Sequence, residues 1–426
     1  MSPVRPTVAR HRRVLVALAA LGLLLGACSS SADDGSATAT TTDPAVTAGV
    51  NYSSFGPFKV GTRSIEAGGV EVELFYPVNP DDTATGSAVT SLSSDVAFPE
   101  SLRTVIAEAA PFLIQQLPVE LYQGASVSGD GPFPVLLYSH GAGGHPAFYV
   151  NTMAHSASWG YVVAAPNHPS RNLAANVGGT GAQAATTDVE DLIATVAALD
   201  TINADANDPL HLTMDTERLS VAGHSAGGGA AARLAVSDEA ITSRLVTIIG
   251  QAPAPPVSLS AIIGNPDATE EERSAALEAA LAELTPPSLP VLLVAGERDA
   301  VIPLARVEAN YLWLDAPKQL VVLANAGHNP VLDVCAPIRA QGGLVAAAGG
   351  LSEAFGPSVG ALLARGEDGC VEGYLDPQTG FDVTRHLTVA QLRWALGQDP
   401  GRASLEPTFL RDTFGTAIGV VEQDVP

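Results

Sequence analysis

Short apolar runs alternate with helical stretches along most of this chain. The runs are uniformly apolar, which is typical of strands buried on both faces of a parallel sheet. They lie at residues 134–139, 161–166, 218–223, 245–250, 290–296 and 319–325. Residues 187–202, between two of the runs, are predicted to form a helix, whereas residues 70–78 alternate as a strand does. This rhythm predicts an α/β fold with a mostly parallel central sheet and helices on both faces.

Residues 252–288 interrupt this alternation of apolar runs and helical stretches. Thr269 followed three residues later by Glu272 is the capping-box pattern that begins a helix, and three leucines then share one face of it. This extra helix is either a lid over a site or a plain surface helix.

The N-terminal residues have the pattern of an export signal. Four arginines precede an apolar segment, residues 14–27, that is too short to span a bilayer stably. The segment ends in LGAC, which resembles the lipobox of bacterial lipoproteins, where cleavage precedes the cysteine and its sulfur is lipidated. We therefore expect a signal peptide at 1–27, lipidation of Cys28, a flexible tether at 28–50 and one folded domain at 51–426. The alternative is an ordinary secretory signal followed by a chance cysteine.

The charge of the chain argues against nucleic acid as a partner. Lys and Arg total 21 against 45 Asp and Glu, a formal net charge of −24, whereas phosphates require cationic side chains. The sequence shows no cluster of residues with metal-ligand spacing, so no metal and no cofactor are expected.

Two cysteines remain once Cys28 is assigned to the lipid anchor. Cys335 and Cys370 form an even pair, and export favours a disulfide between them. Two free thiols are the alternative.

One serine stands at the corner between a predicted strand and a helix of small residues. Ser225 lies in the stretch RLSVAGHSAGGGAAARLA, residues 218–235, within a G-x-S-x-G pattern. A sharp corner of this kind crowds its neighbours, which explains the small residues Gly223, Gly227 and Gly228. The turn would lift the hydroxyl above the carboxyl edge of the sheet, beside a helix N-terminus that favours negative charge. Ser225 is therefore the candidate nucleophile.

A serine nucleophile needs a base, and the base needs an orienting acid. Asp299 follows the strand at 290–296 and His328 follows the strand at 319–325, so both are expected at the same sheet edge as Ser225. Glu297 is a rival acid, but it lies closer to its strand, where a structural role is favoured.

An oxyanion hole would need two backbone amides. One is predicted at Ala226, directly after the nucleophile, and the other at Ala142 in the glycine-rich stretch LYSHGAGGHP. The alternative for that stretch is an ordinary flexible loop. The candidate pocket residues are His140, Gly141, Gly143 and His168.

These segments resemble one branch of the α/β hydrolases. The branch includes platelet-activating-factor acetylhydrolases, chlorophyllases, bacterial polyester hydrolases and dienelactone-hydrolase-like proteins. The likeness is carried by FPVLLYSHGAGG, PNHPSRN, DTERLSVAGHSAGGGAAARLA, GERDAVIP and AGHNP, and it extends over most of residues 55–398. It implies the α/β-hydrolase fold and the order Ser…Asp…His. Dienelactone hydrolases use a cysteine nucleophile, so the serine here does not favour a lactone substrate.

The sequence therefore predicts an exported, lipid-anchored serine esterase at the outer face of the membrane. Its expected substrate is a small-molecule, lipid or polymeric ester. The alternatives are a secreted form, a lipase, thioesterase, peptidase or acyltransferase with the same triad, or an inactive surface-anchored binding protein on a hydrolase scaffold.

Overall fold

A sheet of eleven strands lies at the centre of the computed structural model, which describes residues 48–257, 268–348 and 357–425. The strands, β1 to β11 in chain order, are Lys59–Ala67, Val70–Val78, Ser87–Ser93, Gln116–Gln123, Phe133–Ser139, Val162–Pro166, Met214–His224, Leu245–Gln251, Val291–Gly296, Lys318–Leu323 and Ile418–Asp424.

Helices connect these strands within the described residues. The α-helices, α1 to α13 in chain order, are Glu100–Ala109, Val150–Ser158, Leu173–Gly178, Asp188–Ala204, Ala226–Leu234, Glu239–Thr242, Glu270–Ala282, Leu304–Trp313, Cys335–Ala340, Leu344–Ala348, Pro357–Glu367, Pro377–Ala395 and Pro407–Phe414. Short 3₁₀ helices lie at Pro80–Thr85, Ser94–Ala97, Pro111–Leu113, Pro146–Tyr149, Gly181–Gln183, Ala403–Leu405 and Gly415–Ala417.

The middle of the sheet is parallel. Its order is β11-β10-β9-β8-β7-β5-β6-β2-β1-β4-β3, and every neighbouring pair from β10 to β6 is parallel. Strands β2 and β11 border this block with antiparallel pairing. The six apolar runs become β5 to β10, so the predicted α/β fold with a mostly parallel sheet is confirmed.

Both faces of the sheet are covered by apolar side chains. Along β5, Val135 and Leu137 belong to one core, and Leu136 and Tyr138 belong to the other. The first core also contains residues of α4, α5 and α8, and the second contains residues of α2, α12 and α13. Because each successive side chain faces a different core, the whole strand must be apolar.

The outer strands carry a weaker sequence signal. Strands β3 and β11 are mostly exposed or half-buried along their lengths, and the apolar pattern did not predict them. An edge strand with one exposed face tolerates polar residues, so its pattern is less distinctive.

The interruption between β8 and β9 contains the predicted capped helix. Thr269 and Glu272 form the capping box at the start of α7. The buried Leu277 and Leu281 of this helix pack against α8 through Ala309 and Trp313. Residues 258–267 of the predicted lid lie outside the described residues. The described part of the insertion is therefore a helix held against α8, and a lid role stays a prediction.

The predicted signal peptide lies outside the described residues, as does most of the predicted tether. The amide of Val50 donates to Ser404 Oγ at 2.9 Å, so contacts with the domain begin just before residue 51, the predicted start. The described helices include none with the length and apolar character needed to cross a membrane.

The predicted disulfide is present. Cys335 and Cys370 are bonded to each other, and both side chains are fully buried. The bond joins the start of α9 to the segment after α11 and closes the chain that follows His328.

Removing this disulfide should destabilise the fold. The bridge spans 35 residues, and loop-closure entropy for that length corresponds to about 3 to 4 kcal/mol. Urea unfolding of a Cys335→Ser, Cys370→Ser variant should show that decrease in the free energy of unfolding. A reductant should destabilise only the parent protein, and equal stability of the two proteins without reductant would contradict the prediction.

Candidate active site

Ser225 occupies a strained corner between β7 and α5. Its φ of 54° and ψ of −121° lie in a region that non-glycine residues rarely adopt. Its amide donates to Gln251 O at 2.9 Å. Its carbonyl oxygen accepts from three amides, those of Gly228, Gly229 and Ala254. These bonds stabilise the strained backbone and hold Ser225 at the carboxyl end of the parallel strands.

The predicted small residues around this corner are required by backbone contacts. A Cβ at Gly223 would overlap the backbone of Gly227, and a Cβ at Gly227 would overlap the carbonyl oxygen of Ser139. A Cβ at Gly228 would approach Pro253 Cβ to 2.6 Å. Helix α5 can therefore begin directly against the ends of β5 and β7 only because these residues are glycines.

Asp299 and His328 form a hydrogen-bonded pair. His328 Nδ1 lies 2.8 Å from Asp299 Oδ2. The other carboxylate oxygen accepts from the amides of Val301 at 2.8 Å and Ile302 at 2.7 Å. Because a carboxylate only accepts, Nδ1 carries the proton and Nε2 is left as a base. The pair therefore has the orientation that a general base and its acid require.

Asp368 ties the two loops of this pair together. Its Oδ2 accepts from the amide of Ala300 at 3.0 Å, and its backbone oxygen accepts from the amide of Asn329 at 2.9 Å. Burial raises the pKa of Asp368, and the nearby negative charge of Asp299 raises it further. The sequence offered no signal for this residue, because it lies far along the chain from both loops.

The residue that directly precedes Ser225 contacts this pair. The ring of its neighbour His224 lies 4.7 Å from the ring of His328, measured between centroids. Ser225 is 8% exposed and His328 is 4% exposed. The hydroxyl of Ser225 forms no hydrogen bond with another described residue. In ligand-free enzymes the hydrogen bond between a nucleophilic hydroxyl and its base is often long, so the arrangement is compatible with a catalytic serine.

The loop after β5 leaves one central amide available. Gly141 N donates to Tyr149 Oη at 3.1 Å, Gly143 N to Arg171 O at 2.8 Å, and Gly144 N to Gly141 O at 3.0 Å. Among the described residues, the amide of Ala142 has no acceptor.

The first amide of helix α5 is available as well. Ala226 opens the helix, where an amide has no acceptor one turn earlier, and its amide has no acceptor elsewhere among the described residues. Ala226 and Ala142 are the two amides that the sequence predicted as oxyanion donors.

Arg171 holds the glycine-rich loop from behind. Its guanidinium donates to the carbonyl oxygen of His140 and, at 2.7 Å, to Ser139 Oγ. Its Nε donates to Asp188 Oδ2 at 3.1 Å, which compensates the buried positive charge. The sequence predicted a pocket role for His168, three residues earlier in the same segment, but it predicted no role for Arg171.

His168 and His140 are packed behind the loop and do not line a pocket as predicted. Both rings are almost completely buried, and burial holds the pKa of each well below 6.5. His140 Nδ1 lies 2.8 Å from Gly141 O, and its Nε2 accepts from the His168 amide at 3.1 Å. The two buried rings therefore support the loop, and Gly141 and Gly143 are the remaining residues of the predicted pocket set.

A second serine, histidine and aspartate set is sealed inside the protein. His168 Nδ1 lies 2.8 Å from Asp191 Oδ2, and His168 Nε2 lies 3.0 Å from Ser139 Oγ. All three residues are fully buried, so no substrate can reach this serine. Exposure rather than residue type thus distinguishes Ser225 from Ser139.

Glu297, the rival acid, has a structural contact. Its Oε2 accepts from the amide of Asn325 at 2.8 Å, and its side chain is exposed. Among the described residues, no cluster of three or more histidine, cysteine, aspartate or glutamate side chains could hold a metal ion.

The parallel sheet, the strained serine corner and the loops at its carboxyl edge are features that α/β hydrolases share. A comparison with family models matches residues 118–273 to the family described as Chlorophyllase. A comparison with curated proteins finds no match. The matched stretch contains the glycine-rich loop and Ser225 but not Asp299 or His328. The match supports the resemblance of this stretch to α/β hydrolases, in the branch that the sequence motifs resemble.

Adding a methyl group at Gly227 should damage the corner. Gly227→Ala forces a Cβ onto the Ser139 carbonyl, and overpacking of this kind costs about 1 to 3 kcal/mol or more. Chemical denaturation should show the loss. Gly401→Ala is the matched control, since a Cβ there meets nothing within 4 Å. Equal stability of the two variants would contradict this reading of the corner.

Proposed function

We propose that this protein is an exported serine hydrolase that cleaves carboxylic esters through an acyl-enzyme. Ser225 is the nucleophile, His328 the general base and Asp299 the acid that orients it. The observation that carries the proposal is the Asp299–His328 hydrogen bond of 2.8 Å, together with a strained, slightly exposed serine whose neighbour His224 packs against the His328 ring.

In the acylation step, Ser225 Oγ attacks the ester carbonyl while His328 Nε2 takes the hydroxyl proton. The positive imidazolium that results is stabilised by Asp299, whose other oxygen stays bonded to backbone amides. The carbonyl oxygen becomes an oxyanion and accepts from the amides of Ala142 and Ala226. The tetrahedral species then collapses as His328 gives its proton to the departing alcohol.

In the deacylation step, water replaces the alcohol. His328 takes a proton from the water as it attacks the acyl carbonyl, and the same two amides hold the second oxyanion. Collapse expels Ser225 Oγ, which recovers its proton from His328 and leaves a free acid. No cofactor is needed for either step.

An apolar side chain borders the oxyanion loop. Leu362 Cδ1 lies 3.8 Å from the position that a Cβ at Gly143 would take, and Leu362 is 36% exposed. This leucine belongs to α11, within the segment that the disulfide closes. It favours esters that carry an apolar acyl or alcohol group.

The other candidate functions share most of this site. A lipase, thioesterase, peptidase or acyltransferase would use the same three residues, and they differ in the leaving group or the acceptor. An inactive binding protein would have no need for a hydrogen-bonded acid and base together with two unoccupied amides. The intact set therefore favours catalysis.

Turnover of p-nitrophenyl esters should depend on the three proposed catalytic residues. With protein lacking residues 1–28, Ser225→Ala should lose activity, and Asp299→Asn should lower kcat by about 10⁴-fold because the imidazole adopts the wrong tautomer. A series of acyl chain lengths would define the preferred ester. The matched control is Ser91→Ala, which removes an exposed hydroxyl bonded to Gln116 Oε1 and should retain Ser225-dependent labelling by a fluorophosphonate. Turnover that survives Ser225→Ala would mean that the nucleophile is misassigned. Absence of turnover with every ester would favour the binding protein.

We also propose that a lipid on Cys28 anchors the exported protein to the outer face of a membrane. The support is the short apolar segment followed directly by Cys28 in the sequence. The acidic chain would then face water at the end of the predicted tether.

Changing Cys28 should release the protein from membranes. Cys28→Ser removes the sulfur that would carry the lipid, so the protein should move from the membrane fraction to the soluble fraction after cell lysis. Cys335→Ser is the control, because that cysteine is buried in a disulfide. Retention of Cys28→Ser in the membrane fraction would contradict the anchor.

A further inference from the structure

A buried chain of hydrogen bonds crosses the protein beneath Ser225. Gly141 N donates to Tyr149 Oη at 3.1 Å, and Tyr149 Oη lies 2.8 Å from His224 Nδ1. His224 Nε2 lies 2.9 Å from the backbone oxygen of His328. Tyr149 is 1% exposed and His224 is 2% exposed, so no water competes for these bonds.

The protons in this chain can be assigned from its ends. A carbonyl oxygen only accepts, so His224 Nε2 donates to His328 O. Burial holds the pKa of His224 well below 6.5, and the neighbouring His328 lowers it further. The ring is therefore neutral, and its Nδ1 accepts. Tyr149 must then donate its hydroxyl proton to Nδ1, and its oxygen accepts from Gly141 N.

The chain of hydrogen bonds contacts all three segments of the proposed site. Gly141 directly precedes Ala142, the proposed oxyanion donor, and His224 directly precedes Ser225. The third contact is with the backbone of His328 itself. The bonds thus connect the segments that carry the oxyanion donor, the nucleophile and the base, which lie far apart in the sequence.

We infer that Tyr149 and His224 are positioning residues that set the distance between the oxyanion loop and the His328 loop across Ser225. The inference rests on the proposed function. Neither side chain forms a hydrogen bond with the side chain of Ser225 or His328, although the His224 ring packs against the His328 ring at 4.7 Å between centroids. They act through the backbone of Gly141 and His328, and a displacement of about 1 Å in such a site can cost about 10²-fold in rate.

Removing the Tyr149 hydroxyl should therefore slow catalysis more than it weakens binding. Tyr149→Phe leaves Gly141 N without an acceptor and His224 Nδ1 without a donor. We expect kcat per active site to fall about 10- to 100-fold, with KM changed by less than about threefold, because an oxyanion donor and a base act mainly in the transition state. Ester turnover gives both constants, and titration with a fluorophosphonate gives the number of active sites.

Two substitutions at His224 test the two hydrogen bonds of its ring one at a time. His224→Asn keeps an acceptor near Nδ1 for Tyr149 but loses the donor to His328 O. His224→Gln keeps a donor near Nε2 but loses the acceptor for Tyr149. If the chain acts as one unit, each should lower kcat, and adding Tyr149→Phe to His224→Gln should cost little more than the larger single effect.

Tyr161→Phe is the matched control. Tyr161 is fully buried, and its hydroxyl donates to Gln398 Oε1 at 2.7 Å, so this variant also loses one buried hydrogen bond but contacts no catalytic loop. It should keep its kcat per titrated site even if its melting temperature falls. A fall in kcat confined to the Tyr149 and His224 variants supports the inference.

Three results would overturn the inference. The first is a normal kcat per titrated site in Tyr149→Phe, which would leave that residue only a structural role. The second is an equal loss in Tyr161→Phe. The third is full activity of Ser225→Ala, which would remove the proposed function as well. Loss of activity in Ser225→Ala with normal turnover in Tyr149→Phe would overturn this inference alone.

Discussion

The close backbone contact between helix α5 and strand β5 is the constraint on which the proposed site depends. Gly227 lies against the carbonyl oxygen of Ser139 with no room for a side chain between them. This contact lets the helix begin directly after Ser225, so the serine takes its positive φ and the amide of Ala226 is left without a partner in the described structure. A longer connection would relax the strain, but it would also separate Ser225 from the amide predicted to be its oxyanion donor.

Buried polar networks hold the loops around that corner. Arg171 supports the glycine-rich loop, and the sealed Ser139–His168–Asp191 set supports the arginine. Burying so many polar groups is unfavourable unless each has partners, and here the partners form continuous chains of hydrogen bonds. These hydrogen bonds hold each loop in one conformation before a substrate binds. This preorganisation is what stabilisation of a developing oxyanion requires.

The proposed base, His328, is held by the C-terminal part of the chain. The disulfide at Cys335 and Cys370 closes the segment after His328, and Asp368 within it bonds the backbone of both the acid and base loops. The same segment places Leu362 next to Gly143. One covalently closed segment thus positions the proposed base and also places an apolar side chain near the proposed oxyanion loop.

The sequence by itself determined the six inner strands, the helix capped by Thr269 and the cysteine pair. Their signals are local, because a strand buried on both faces must be apolar at every position and a capping box spans four residues. It also identified Ser225, Asp299 and His328 as candidates, since each follows a recognisable strand. Only the tertiary structure decided that His168 is sealed, and that Tyr149, Arg171 and Asp368 support the loops. Those contacts join residues far apart in the chain through single hydrogen bonds, which leave no periodic pattern in the sequence.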